Sequence, residues 1–170
     1  MAVKSENKTP APEAQLKSFI DRLDAKNQKL FRSVRAAVRK RFPTANELAY
    51  DYSSFVVIGY SPNENGIDSV VSLAGRPEGV QIYFNQGPCL PDPKKLLLGS
   101  AKTTRFVWLE SAERLSHPDV EAFTAAALEL SGARMPKNGK GSLIIKTNKM
   151  TAAKKKKTRP KAKATAKAKK

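Results

Sequence analysis

The feature that most constrains the fold is a change in the spacing of apolar residues near Pro43. Before it, apolar residues recur at i, i+3, i+4 and i+7, which is the spacing of a helix with one buried side: Leu16, Phe19, Ile20 and Leu23. After it, they alternate with polar or small residues, as in a strand: Leu48, Tyr50 and Tyr52. The chain is therefore predicted to begin with helices and to continue with strands.

The two N-terminal helices have clear sequence boundaries. Pro12 suits the first turn of the first helix, because that position needs no backbone N–H. The second helix is predicted from Ala25 to Arg41 and ends at Pro43. Further strands are predicted from apolar runs that are bounded by turn residues: Phe55–Tyr60, Ile67–Ala74, Val80–Phe84 and Arg105–Glu110.

A third helix is predicted after Ser116, which is expected to be its N-cap, and Gly132 is placed to end it. Leu143–Ile145 is either a short edge strand or a hydrophobic strip that anchors the segment after it. Short connections between the strands imply antiparallel neighbours. The predicted fold is α+β: a two-layer sandwich of an antiparallel sheet of about five strands with two N-terminal helices and one C-terminal helix.

Charge is distributed unevenly along the 170 residues. The net charge is +17, yet Lys137–Lys170 carries fourteen Lys and Arg and no acid. The other 18 bases share residues 1–136 with all 15 acids, so that part is close to neutral. The predicted organisation is a flexible N-terminus (1–12), one α+β domain (13–148) and a disordered Lys/Ala-rich basic tail (149–170).

The tail resembles the C-terminal tails of linker histones and histone-like bacterial proteins. It cannot bury enough apolar surface to offset the entropy of ordering. Lysines near phosphates release condensed cations, which gives salt-sensitive binding without sequence preference. DNA or RNA is therefore the predicted partner, although a solubilising or incidental tail remains an alternative. The predicted nucleic-acid-binding residues are the tail cations Lys154, Lys155, Lys156, Lys157, Arg159, Lys161, Lys163, Lys167, Lys169 and Lys170.

The composition argues against several functional classes. One cysteine, Cys89, and one histidine, His117, leave no intrachain disulfide and no Cys-rich or His-rich metal site. No cofactor or metal is predicted, and a non-enzymatic role is favoured. No apolar run approaches the roughly 20 residues of a membrane-spanning helix. A cytoplasmic location is therefore expected, with nucleoid association as an option.

Three blocks resemble the YdhG-like bacterial domain family: YDYSSFVVIGYSP (Tyr50–Pro62), GPCLPDPKKLLLGSAKTTRFVWLES (Gly87–Ser111) and GSLIIK (Gly141–Lys146). The resemblance covers most of residues 13–148, and its most specific part is the Pro-Asp-Pro-Lys-Lys-Leu-Leu loop. It implies a compact α+β fold with an antiparallel sheet. It implies no activity and no catalytic residues.

A pocket between the sheet and the Gly87–Ser100 loop is the alternative hypothesis, because functional residues often lie on loops. Such a pocket would serve a small-ligand-binding or catalytic domain, and its proposed lining is Tyr50, Asp51, Tyr52, Lys102 and Arg105. A protein-interaction module is a third option. The basic face of the second helix is either an extension of the nucleic-acid surface or a solvated face: Lys29, Arg32, Arg35 and Arg39.

Overall fold

The computed structural model describes residues 10–132 and 134–146, and it confirms the α+β class. Three helices pack on one six-stranded sheet. The helices are α1 (Pro12–Ile20), α2 (Ala25–Arg41) and α3 (Pro118–Leu130). The strands are β1 (Asn46–Asp51), β2 (Val56–Ser61), β3 (Val71–Arg76), β4 (Gly79–Asn85), β5 (Thr104–Leu109) and β6 (Leu143–Lys146).

The sheet has the order β5-β4-β3-β2-β1-β6. Strands β1 to β5 form antiparallel pairs, as predicted. The sixth strand was not included in the predicted sheet of about five, and it pairs parallel to β1. The connection through α3 carries the chain from β5 to the opposite edge, where the Glu47 N–H donates to Ser142 O at 2.9 Å. Of the two options for Leu143–Ile145, the edge strand is correct.

Two predicted boundaries were wrong for local reasons. Residues Ile67–Ala74 were expected to form one strand, but Gly66–Asp68 makes a 3₁₀ turn that the Asn65 side chain caps, and β3 starts at Val71. The N-cap of α3 is His117 rather than Ser116, since His117 Nδ1 accepts from the Asp119 N–H at 3.4 Å. Ser116 instead ends a preceding 3₁₀ turn.

The core lies between the helices and one side of the sheet, which we call the helix face. Because side chains alternate along strands, registered pairs place Ala49, Ile58 and Leu73 together on this face. They join the main hydrophobic cluster with helix residues such as Phe31 and Val34. Gly75 is required beneath α2, because a Cβ there would lie 2.7 Å from the Phe31 ring.

The opposite side of the sheet, which we call the outer face, is different. Leu48 and Ala74 on this face are fully buried, but they are not part of the main hydrophobic cluster. The aromatic residues on this side are half-buried and are also outside that cluster: Tyr50, Tyr52, Phe55, Tyr83, Phe106 and Trp108. The outer face is thus packed independently of the three helices.

Candidate functional site

The ten tail cations predicted to bind nucleic acid, Lys154 to Lys170, lie outside the described residues. The structure does establish where the chain leaves the described part. Its last described residue is Lys146, at the end of edge strand β6. The basic segment therefore follows directly from the sheet.

The five residues predicted to line a pocket belong to two separate places. Tyr50 and Asp51 end β1, and Tyr52 follows them, whereas Arg105 lies in β5 and Lys102 just before it. Three strands stand between β1 and β5, so the two groups are about 19 Å apart at a strand spacing of about 4.8 Å. The structure does not bring the five residues into one pocket.

Local contacts explain most of these placements. Asp51 accepts two hydrogen bonds from Arg22, at 2.5 and 3.1 Å, on the helix side of the sheet. Arg105 donates to the carbonyl oxygens of Ala101 and Thr104, at 2.5 and 2.8 Å. Lys102 is exposed. Asp51 and Arg105 therefore have structural partners, and neither faces the other.

A cavity does occur beside the Gly87–Ser100 loop, but with a different lining. Its volume is about 310 Å³, and it opens between α3 and the sheet end, next to Gln86 and Thr103 at the two ends of the loop region. None of the five predicted residues lines it. The lining residues are Ile67, Asp68, Ser69, Val70, Asn85, Gln86, Thr103, Ala127 and Ser131.

A buried polar cluster joins the N-terminal helices to β1. Arg35 of α2 donates to both carboxylate oxygens of Glu47, at 3.0 and 2.6 Å, and also binds Glu13 of α1. The Tyr60 hydroxyl donates to Glu47 Oε1 at 3.2 Å. The side chains of Glu47 and Arg35 are only 4% and 13% exposed. Sequence reasoning did not find the Arg35–Glu47 pair, because α2 comes earlier in the chain and its docking depends on the tertiary fold.

The electrostatics of this cluster are those of a fixed ion pair. Burial opposes the charge of Arg35, but its hydrogen bonds to Glu47 and Glu13 outweigh burial and raise its pKa. Burial, reinforced by the Glu47 charge, raises the pKa of Tyr60 well above its ordinary value. Tyr60 is therefore a neutral hydrogen-bond donor at physiological pH. With both pKa values raised, neither Arg35 nor Tyr60 is poised to give up its proton near neutrality.

The basic face of α2 is largely neutralised by these acids. Arg32 pairs with Asp21 at 2.6 Å, and Arg39 lies 3.7 Å from Glu13 and 3.6 Å from Glu47. Together with Arg35, three of the four predicted cations form ion pairs within the domain. The face is therefore a poor candidate for extending a nucleic-acid surface.

The outer face carries a group of contacting aromatic rings that sequence reasoning did not assemble. Tyr83 and Phe106 have ring centroids 5.1 Å apart, and Phe106 and Trp108 meet edge to face at 5.9 Å. We call these three residues the aromatic platform. The signal was present as strict alternation in β5, where Phe106 and Trp108 alternate with core residues. Tyr60 does not belong to this group of rings, because it lies on the helix face.

Neither chemistry nor similarity assigns an activity. Residues 10–132 and 134–146 contain no group of three His, Cys, Asp or Glu placed to hold a metal ion. No described helix is long and apolar enough to cross a membrane. No family model matches the chain, and neither a curated protein nor a solved structure matches it. The resemblance to the YdhG-like family stays a prediction.

Proposed function

We propose that this chain is a non-enzymatic protein that associates with DNA or RNA through its basic tail, by electrostatics without sequence preference. The observation that carries the proposal is the separation of charge: fourteen Lys and Arg and no acid in Lys137–Lys170. The tail cations would displace the counterions condensed on the phosphates of a polyanion, and the release of those counterions favours binding.

The contacts in the folded domain support this division. Arg32, Arg35 and Arg39 are occupied by acids of the same domain. The domain therefore offers few uncommitted cations on α2, and the tail is the larger source of positive charge. Since Lys146 ends an edge strand, the tail begins at the periphery of the sheet, where a long polyanion can approach it.

The test is binding of the full chain to duplex DNA across a salt series. The protein used for comparison is a full-length variant in which the ten tail cations, from Lys154 to Lys170, are replaced by glutamine. For the native chain the logarithm of the binding constant should fall with the logarithm of salt concentration, with a slope of roughly −5 to −9. The glutamine variant should have a slope of about −3 or shallower.

A second variant with the nine lysines from Lys154 to Lys170 changed to arginine keeps the charge, and it should bind like the native chain. Neutralisation is a better design than truncation after residue 136, since that truncation would also remove β6. Equal slopes for the native and glutamine chains would show that the tail does not determine binding.

The cavity beside the Gly87–Ser100 loop favours a second candidate function, the binding of a small ligand. Its volume of about 310 Å³ is at the lower end for small-molecule sites. Asn85, Gln86 and Thr103 supply hydrogen-bonding groups to its lining. Screening a metabolite set by thermal shift, with Ser131→Phe as a cavity-filling control, tests this. A ligand of this cavity should stabilise the native chain and not the variant.

A further inference from the structure

We propose that the outer face of the sheet is a second nucleic-acid contact, on which the aromatic platform stacks unpaired bases of a single strand. This inference rests on the proposed function for its partner class and adds a preference for single strands. The tail has no aromatic residue and so has no means of stacking on bases. The platform supplies the interaction that the tail lacks.

The rings of the platform are held in place before any ligand binds. The Tyr83 hydroxyl donates to Gln81 Oε1 at 2.8 Å, and the ring of Trp108 lies over Gly79, where a Cβ would approach it to 3.1 Å. Phe106 lies between the other two rings. Base–aromatic stacking tolerates any sequence because every base has a π face. Fixed, half-buried rings lose little conformational entropy when a base stacks on them.

The charges on this face fit a polyanion. By strand alternation, its strand residues include two charged side chains, Arg76 and Lys146, and both are cationic. Lys146 Nζ lies 3.9 Å from a carboxylate oxygen of Glu64 at the β1 side of the face, so Arg76 is the cation nearer the platform. The strand acids Glu47 and Asp51 lie on the helix face. The Arg76 guanidinium stacks over the Phe55 ring at 4.1 Å, beside the Gly79 end of the platform. No acidic side chain of the described residues forms a salt bridge with Arg76.

The basic tail can reach a strand that lies on the platform. The 24 residues after Lys146 span at most about 80 Å when extended, whereas the six-stranded sheet is about 24 Å wide. The turn around Gly66 covers the β1 side of the outer face, where it meets the Tyr50 hydroxyl. On the β4–β5 side, Gly99 lies against the Phe106 ring, and the three platform rings are half-buried, which leaves their exposed parts for a ligand.

The experiment compares two oligonucleotides that have the same phosphates, a 15-nucleotide thymidine strand and an abasic strand of the same length. Trp108 is the only tryptophan, so its fluorescence reports contact with the platform directly. The full chain should bind the thymidine strand about tenfold more tightly than the abasic strand. Only the thymidine strand should quench Trp108.

Phe106→Ala should remove most of the preference for bases, whereas Phe106→Tyr should retain it. Leu130→Ala is the matched control, because Leu130 is 40% exposed on α3, away from the outer face. Circular dichroism confirms that each variant is folded. If Phe106→Ala is unfolded, Tyr83→Ala with the same readout replaces it.

Equal affinity for the two strands, or unchanged Trp108 emission, would contradict the proposal that the platform stacks on bases. So would a Trp108 emission that depends on protein concentration and is insensitive to the thymidine strand, because that result assigns the face to a second copy of the chain.

The glutamine-tail variant separates the two proposals. If it loses affinity for both strands equally while Phe106→Ala changes nothing, the tail function stands alone. If it keeps its preference for bases and its salt slope is unchanged, the platform stands and the tail function fails.

Discussion

The two faces of the one sheet differ in how their side chains are stabilised. The helix face is closed by α1, α2 and α3, and its polar groups are paired inside the fold, as in the Arg35–Glu47 bridge. The outer face has rings that contact each other without a covering helix, and its charged strand residues are cationic. The comparison shows that burial alone does not distinguish scaffold from surface: Leu48 and Phe31 are equally buried but belong to different layers.

The largest expected effect contrasts one phenylalanine from each face. Phe31→Ala should lower the free energy of unfolding by about 3–5 kcal/mol, because it empties a fully buried site between α2 and Gly75. Phe106→Ala should cost about 1–2 kcal/mol, since this ring is only half-buried, between Tyr83, Trp108 and Gly99. Urea unfolding measures both. Similar losses would mean that the outer face is as much a core as the helix face.

Glu47→Gln should lower the free energy of unfolding by about 2–3 kcal/mol. It leaves the nearly buried Arg35 with only Glu13 as a full counter-charge. Asp51→Asn is the matched change at a pair that water reaches, Arg22–Asp51, and should cost less than about 1 kcal/mol. Urea denaturation of both variants is the measurement. A Glu47→Gln chain as stable as Asp51→Asn would show that the cluster does not hold the helices to β1.

A smaller contrast removes one hydroxyl from each face. Tyr60→Phe should cost about 1–2 kcal/mol, because the fully buried hydroxyl donates to the charged Glu47. Tyr83→Phe should cost about 0.5–1 kcal/mol, since its acceptor is the neutral amide of Gln81 rather than a carboxylate. Thermal unfolding followed by circular dichroism resolves the difference. The reverse order would contradict the assignment of Tyr60 to the closed face.

The smallest expected effect is the pH dependence of the stability that Glu13 contributes. A hydrogen bond from Arg35 lowers the pKa of Glu13 below its ordinary value near 4.5. The resulting stability is present above that value and is lost as pH falls through the lower pKa of the folded state. Glu13→Gln should therefore cost less than about 1 kcal/mol at pH 7, since Glu13 is more than half exposed. The urea midpoints of the native and Glu13→Gln chains should converge as the pH falls below 4.5 and through the lower pKa of the folded state, and a gap that does not narrow would contradict this cause.

The parts of the fold that sequence reasoning predicted were those set by local pattern. Helix α2 has the predicted bounds, because its 3.6-residue period and Pro43 act within a few residues. Strand β6 was left open and the Glu47–Arg35 pair was missed, since both depend on chain segments that meet only in the tertiary fold. The proposed pocket combined residues that lie on or next to β1 and β5, which the sheet keeps apart. Their separation follows from the order of the strands, which residue types do not specify.

The parallel pairing of β6 with β1 has a mechanical consequence. A load on the basic segment after Lys146 would pull along the axis of β6, and β1 would oppose it through the hydrogen bonds between the two strands. Such a geometry loads the bonds together in shear rather than one after another, as peeling would. Tension applied after Lys146 is thereby shared among the hydrogen bonds at the edge of the sheet, and the domain would resist unfolding when it is pulled from this end.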